Sequence, residues 1–330
     1  MREPHFWRDL DPRSRASAPV SRFALTPLSM LYAWAGKRRI EKAHPADVGV
    51  PVICIGNLTL GGAGKTPVSA EVRARLSSRG LRTATLSRGY GGSEAGPLKV
   101  EAGRHLSREV GDEPLMLAGS GESWIARDRV EGAKAMRAAG VQAIVMDDGH
   151  QNPALRKALS LIVIDAAEPF GNRSVFPKGP LREPVKRGLE RADGVVLMGD
   201  GRLPRELEGW GRPVLWARLK PTAELPPGTY VAFAGIGRPQ RFFDSLLQLP
   251  GITLQESIPY PDHHAYMASD FAYLNRLAAD RGAQLVTTEK DYVRLPPEMR
   301  AKVSVARVTA DFDDPGALDA LLSRVVELRA

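Results

Sequence analysis

From residue 50 onward, short apolar runs alternate with stretches whose apolar residues recur at helical spacing. The runs PVICIG (51–56), RTATLS (82–87), QAIVMD (142–147), LSLIVID (159–165), GVVLM (194–198) and PVLWAR (213–218) predict strands. Helices are predicted between them over 68–79, 113–118 and 130–139. Near-continuous apolar strands alternating with helices predict an α/β fold, a parallel sheet with helices on both faces.

A proline-rich interval, LKPTAELPPGTY (219–230), breaks this rhythm and reads as a boundary. Beyond it the alternation restarts. A strand over 229–236 is followed by a helix over 240–248, and the strand GITLQESI by a helix over 267–281. The strands AQLVTT and VSVARV and a closing helix over 315–328 complete a smaller α/β unit. Three segments are expected: 1–45, a basic lead with a helix; 46–220, the main domain; and 221–330, a C-terminal α/β lid domain.

The lead holds FALTPLSMLYAWAG (23–36), fourteen residues without charge, followed by Lys37, Arg38 and Arg39. Thr26 and Pro27 read as an N-cap and first helical residue, and the basic trio suits the negative end of the helix dipole. A helix over 27–39 is about 20 Å long at ~1.5 Å per residue. A bilayer core of ~30 Å exceeds that. The helix either lies in a membrane interface, with Tyr32 and Trp34 at headgroup level, or packs on the protein itself. The opening MREPHFWRDLDPRSR has no apolar core of a signal peptide.

Charge sharpens this reading. Of 330 residues, 46 are Lys or Arg and 38 Asp or Glu, a net charge of +8. Residues 1–40 hold eight basic and three acidic residues, so +5 of that total sits in the lead. Anionic partners are favoured, but no Lys/Arg block or aromatic repeat marks a nucleic-acid surface. The single cysteine, Cys54, lies inside an apolar run and reads as a buried thiol.

The chemistry begins at TLGGAGKTP (59–67), which follows the strand PVICIG and precedes a helix. Glycines let backbone N–H groups curl around an anion, and the helix start adds its positive end. Lys65 then reaches β- and γ-phosphates, and the Thr66 hydroxyl suits Mg²⁺. This is a P-loop with one departure: Thr59 stands where the pattern wants a glycine. Thr59, Leu60, Gly61, Gly62, Ala63 and Gly64 form the cradle ahead of Lys65 and Thr66. An acidic metal partner is expected at a neighbouring strand end. QAIVMDDG offers Asp147 and Asp148 there.

Seven segments occur in a fixed order: TLGGAGKTP, LSRGYGG (86–92), VGDEP (110–114), DDGHQNPAL (147–155), GPLREP (179–184), PDHHAY (261–266) and TTEKD (287–291). Together, over about residues 20–310, they resemble the tetraacyldisaccharide 4′-kinases, the lipid A 4′-kinases of Gram-negative bacteria. The resemblance implies a P-loop kinase domain joined by a short β linker to a smaller α/β domain. It implies ATP-dependent phosphorylation of a lipid disaccharide 1-phosphate at its 4′-hydroxyl, giving lipid IVA. It also implies Mg²⁺ and work at the cytoplasmic face of the inner membrane, which favours the interfacial reading of the N-terminal helix as an amphipathic anchor. A monomer without nucleic acid is expected.

Carried onto this sequence, the resemblance assigns Mg²⁺ duties to Asp148 and Glu183 beside Thr66. It points to Asp112 as the base, working with His263. A carboxylate oriented by an imidazole is a competent base for a sugar hydroxyl. Of six histidines only His150, His263 and His264 fall in site-like loops. Arg129 and Arg182 are expected on phosphate oxygens of ATP or substrate, and Arg88 is a further candidate. Glu289, Lys290 and Asp291 would reach the nucleotide if the lid closes.

The sequence departs from the family at DDGHQN, where the pattern is close to DDGFQH. His150 replaces an aromatic, and Asn152 stands where a histidine is usual; Asn hydrogen-bonds but does not titrate. Other readings are a different P-loop ATPase or GTPase, or a non-catalytic nucleotide-binding membrane protein. A GTPase would show N-K-x-D, and the nearest match, TEKD, lacks the Asn.

Overall fold

The computed structural model describes residues 4–8, 18–221 and 225–327. Its strands are β1 (Val52–Gly56), β2 (Thr83–Ser87), β3 (Leu98–Val100), β4 (Ser123–Ile125), β5 (Ala143–Asp147), β6 (Leu159–Asp165), β7 (Gly194–Met198) and β8 (Val214–Pro221). After these come β9 (Gly228–Ala234), β10 (Ile252–Pro259), β11 (Gln284–Thr288), β12 (Val303–Ala306) and β13 (Val308–Phe312). The helices are α1 (Pro19–Ala24), α2 (Thr26–Glu41), α3 (Lys65–Ser78), α4 (Ser107–Val110), α5 (Asp112–Ser120) and α6 (Arg129–Ala138). They continue as α7 (Val185–Glu190), α8 (Pro239–Leu247), α9 (Ala268–Asp280), α10 (Glu289–Tyr292), α11 (Pro297–Arg300) and α12 (Pro315–Glu327).

Among the described residues the strands form two sheets. The larger has nine strands in the order β13-β8-β7-β6-β1-β5-β2-β4-β3, and the smaller four in the order β10-β9-β11-β12. Strand pairs are parallel except at the two ends of the large sheet, where β13 on β8 and β3 on β4 run antiparallel. The α/β expectation is met, with a mixed rather than purely parallel large sheet.

β1 shows why its run is apolar without alternation. Ile53 and Ile55 face one side, packed with Val68, Val72 and Leu76 of α3. Val52 and Cys54 face the other, packed with Ala133 and Met136 of α6. Each of these buried Val, Ile, Leu and Met side chains contributes about 1.5–3 kcal/mol. Cys54 is fully buried, as expected.

The order of the large sheet also places the site. From β1 the chain leaves to one flank to form β2, inserts β5 between them, then returns to the other flank as β6. Ligands bind at such a switch point, beyond the carboxyl ends of the strands. β1 and β5 are in parallel register there, with Ile55 opposite Asp147.

The segment expected as one second unit, 221–330, is divided between the sheets. The run VSVARV does not form one strand. It ends as β12 at Ala306, and β13 returns to the large sheet, pairing Val308 with Pro221 and Phe312 with Ala217. α12 then lays Leu318, Leu321, Leu322 and Val325 over Leu161 and Val196 of the large sheet. The small sheet keeps β9 to β12, with Phe242 and Phe243 of α8 on one face and Leu274 of α9 on the other.

At the N-terminus, α2 covers the expected span but is not capped by Thr26. Leu25 is right-handed, so α1 runs into α2, and the Thr26 hydroxyl donates to the Arg22 carbonyl at 2.9 Å. α2 is pinned at few points: the Ser29 hydroxyl donates to the Val175 carbonyl at 2.7 Å, and Tyr32 meets Phe176 edge-on at 5.4 Å. Phe23, Met30, Leu31 and Trp34 remain exposed. Among the described residues no helix is long and apolar enough to cross a membrane.

Candidate active site

The loop 57–64 joins β1 to α3 as the sequence predicts. Left-handed backbone falls at Gly61 (φ 118°) and Gly64 (φ 84°), and Gly64 caps α3 just before Lys65. Thr59 is not among the described residues with positive φ, so its side chain is tolerated where the pattern wants glycine. Thr59 instead bridges to Leu181, while Leu60 N donates to the Pro180 carbonyl and Arg182 N to the Leu58 carbonyl, each at 2.7 Å. The segment GPLREP is thereby zipped onto the phosphate loop.

That zip delivers Arg182. Its guanidinium donates to Asp148 Oδ1 at 2.8 Å and to the Thr59 carbonyl at 3.2 Å. Lys65 Nζ lies 3.7 Å from the same Asp148 oxygen. Burial alone would raise the Asp148 carboxyl, but the Lys65 and Arg182 charges hold it below its ordinary value. Burial lowers Lys65, opposed by Asp148. Asp148 itself sits at φ 53°, a strained backbone for a side-chain-bearing residue.

Thr66 and Asp148, expected together at a metal, take different partners. The Thr66 hydroxyl faces Asp147 Oδ2 at 3.4 Å, and Ser69 donates to Asp147 Oδ1 at 2.8 Å. Burial raises Asp147 to about 6, with Lys65 pulling the other way. The signal for Asp147 was its place as the last residue of β5, opposite β1. Glu183 is nearly buried, and its Oε1 accepts from Arg191 at 2.7 Å and Gln151 at 3.0 Å. Gln151, which the sequence did not single out, also donates to the Asn57 carbonyl at 2.9 Å.

The hydroxyl and carboxylate oxygens here suit a hard cation. No group of three or more His, Cys, Asp or Glu among the described residues forms a cage by itself. Mg²⁺ is commonly held by one or two carboxylates plus substrate phosphates, and Thr66, Asp147 and Asp148 fit that pattern.

Arg129 opens α6 and is nearly buried, with its Nε lacking a partner. Burial and the neighbouring Arg88 lower its guanidinium to about 10. A buried cation without a carboxylate is a ready partner for an oxyanion.

A cleft of about 1950 Å³ joins these groups to the small sheet, with Lys65, Arg129, Asp148 and Arg182 on one wall and Arg238 and His263 on the other. Asp112, at the start of α5, lies just behind His263. His263 Nδ1 is 3.2 Å from Asp112 Oδ2; the imidazole is 47% exposed and the carboxylate 14%. His263 takes φ 60°. Thus one member of the expected pair comes from each sheet. Arg294, invisible as a candidate in the sequence, completes the cluster: its Nε donates to Asp112 Oδ2 at 2.8 Å. Burial pushes Asp112 up, but hydrogen bonds from His263 and Arg294 bring it below its ordinary value.

The TTEKD residues separate. Asp291 is fully buried and accepts from Gly235 N at 3.0 Å and the Tyr266 hydroxyl at 2.9 Å, so it braces the small sheet rather than facing a nucleotide. Lys290 pairs with Glu113 at 3.0 Å, tying α10 to α5. Glu289 and Lys290 both line the cleft.

A model of the family described as LpxK, tetraacyldisaccharide-1-P 4′-kinase, matches residues 21–327. The chain belongs to this kinase family. Among curated relatives, the tetraacyldisaccharide 4′-kinase of Hyphomonas neptunium is 58% identical over 326 residues, covering 98% of each chain. That of Maricaulis maris is 49% identical over 334 residues, covering 99% of this chain and 97% of its own. The crystal structure of LpxK from Aquifex aeolicus in complex with ATP superposes with a TM-score of 0.74. It is 26% identical and covers 92% of this chain and 99% of its own.

Within this kinase family the departures at DDGHQN have structural roles. The His150 ring is buried, 3.1 Å from both Ser160 Oγ and the Gly188 carbonyl. Burial, aided by Lys157 and Arg191, lowers it to about 3, so it is neutral. Asn152 Oδ1 accepts from Ala154 N at 2.9 Å, closing an Asx turn that needs no proton.

Proposed function

We propose that this chain transfers the γ-phosphoryl group of ATP to the 4′-hydroxyl of a tetraacyldisaccharide 1-phosphate. The observation that carries this reading is one cleft lined by the phosphate loop and by His263, with Asp112 paired directly behind that imidazole. The phosphate-loop cradle and Lys65 hold the triphosphate, and Arg129 and Arg182 meet its oxygens or those of the substrate phosphate. Thr66, Asp147 and Asp148 would hold Mg²⁺, which would neutralise phosphate charge. Glu183 orients Gln151 and Arg191 beside them, and is a further candidate ligand.

Asp112 accepts the proton of the 4′-hydroxyl as its oxygen bonds to Pγ, and the bond from Pγ to the bridging oxygen breaks to release ADP. The names and the ATP complex of the relatives support this choice over a GTPase or a non-catalytic scaffold. A monomer acting at an anionic membrane surface, the cytoplasmic face of the inner membrane, fits the exposed apolar residues of α1 and α2.

The test is transfer of ³²P from γ-labelled ATP to a tetraacyldisaccharide 1-phosphate in mixed micelles with Mg²⁺. Wild type should label the lipid, and Asp112→Asn should lose most of that activity. Unlabelled lipid with ATP binding retained would overturn the proposal.

A further inference from the structure

We propose that Arg294 is a positioning residue that orients the Asp112–His263 pair. The inference rests on the reading of Asp112 as the proton acceptor, and it adds a residue to that reading.

The geometry is specific. Arg294 follows α10 and its side chain is 5% exposed. Its Nε and one terminal nitrogen lie 2.8 and 2.7 Å from Asp112 Oδ2. That same terminal nitrogen is 3.1 Å from His263 Nδ1. The other terminal nitrogen donates to the Gly235 carbonyl at 2.7 Å and lies 3.2 Å from Asp291. His263 Nδ1 is also 3.2 Å from Asp112 Oδ2, so the carboxylate oxygen, the ring nitrogen and the guanidinium meet in one cluster.

The arrangement also links chemistry to the meeting of the two sheets. Asp112 belongs to α5 beside the large sheet, while His263 and Arg294 belong to the small one. The charged groups around Asp112 are Glu113 on its own helix, Lys290 and Asp291 on α10, Asp262 and His263 in the loop after β10, and Arg294. Of these, His263 and Arg294 hydrogen-bond its carboxylate, and both lower it against the effect of burial. Arg294 thus keeps the base ionised as well as aimed.

The test compares kcat, KM and pH–rate profiles of full-length wild type, Arg294→Ala, Arg294→Lys and Asp112→Asn. In Arg294→Ala, kcat should fall with the KM for ATP unchanged. The acid limb should move up by about 1–3 pH units, the scale of an Arg–Asp pairing. Arg294→Lys should return the acid limb toward wild type, because it restores the charge, but recover kcat only in part, because an ammonium lacks the fork. An unmoved acid limb in a folded Arg294→Ala would overturn the positioning role. If Arg294→Ala does not fold, Arg294→Lys decides the question: full kcat there would overturn the role. Asp112→Asn with wild-type kcat would instead overturn the reading of the base on which this inference rests.

Discussion

Lys65 Nζ stands 3.7 Å from Asp148 Oδ1, so the phosphate-loop cation is paired with the carboxylate that follows β5. A triphosphate bound in the loop would compete for that cation, and Arg182, 2.8 Å from Asp148, would hold the carboxylate in place. Replacing Lys65 should remove charge stabilisation while leaving Asp148 anchored. Lys65→Met is expected to lower phosphoryl transfer by about 10²–10³-fold, the scale for losing one donor to developing charge. Its circular dichroism should match wild type. Activity within a few-fold of wild type would place the phosphates elsewhere.

His150 gives a stability prediction whose sign is fixed by burial. Its native value of about 3 lies below the ordinary 6.5, so the unfolded chain binds the extra proton first as the solution is acidified. The contribution is therefore complete above about pH 6.5. It is lost at about 1.4 kcal/mol per pH unit as pH falls toward 3. His150→Phe removes that slope but strands Ser160 and the Gly188 carbonyl, at about 1–3 kcal/mol for a lost buried partner. Urea unfolding at pH 7.5 and pH 5 should show the variant weaker at the higher pH and less acid-sensitive. Equal acid sensitivity in both proteins would refute the account.

Local signals carried much of this structure into the sequence, and non-local ones did not. The phosphate loop was legible because strand, glycines, lysine and helix start are contiguous, and phosphate chemistry needs them so. β1, β5, β6 and β7 were legible because burial on both faces leaves an unbroken apolar run. β3 and β4 are three residues each, too short for a periodicity, and are held by pairing. The return of β13 to β8 depends on a partner almost a hundred residues away. Arg294 was hidden for the same reason: nothing near it in the chain announces Asp112. Asp291 sits in a polar motif that points to a site residue, while the fold buries it as a brace.

A second inter-sheet contact predicts an effect of Asp165. This carboxylate closes β6 and accepts from Arg238 at 2.6 Å and Arg241 at 2.8 Å, both on the small-sheet side. Arg238 also reaches Glu168. Asp165→Ala leaves two guanidinium groups without their shared partner and loosens the wall that carries His263. Misplacement of about 1 Å costs up to ~10²-fold in rate, so kcat should fall toward that range. Hydrogen exchange should quicken in α8 and around 261–264 while β1 and β5 stay protected. Unchanged exchange in α8 together with an unchanged rate would show that these pairs do not hold the units together.

The exposed side chains of α1 and α2 predict how the chain meets its substrate. Phe23 is 83% exposed, Met30 68%, Leu31 58% and Trp34 54%, beside a helix end that carries Lys37, Arg38 and Arg39. Large apolar groups next to a basic cluster match an anionic lipid surface, with Trp34 at the headgroup boundary. Burying Leu31 and Trp34 in that boundary contributes about 1.5–3 kcal/mol each. Leu31→Glu with Trp34→Glu should therefore weaken co-sedimentation with phosphatidylglycerol-containing vesicles by ~10²-fold or more. Raised salt should weaken wild-type binding, because the basic cluster is screened. ATP binding should be unaffected, since neither side chain is part of the phosphate loop. Transfer to a substrate embedded in vesicles should fall with the lost binding, whereas transfer to a monomeric, short-chain acceptor should not. Equal vesicle binding by variant and wild type would leave these residues without a membrane role and would favour the reading in which the helix packs on the protein itself.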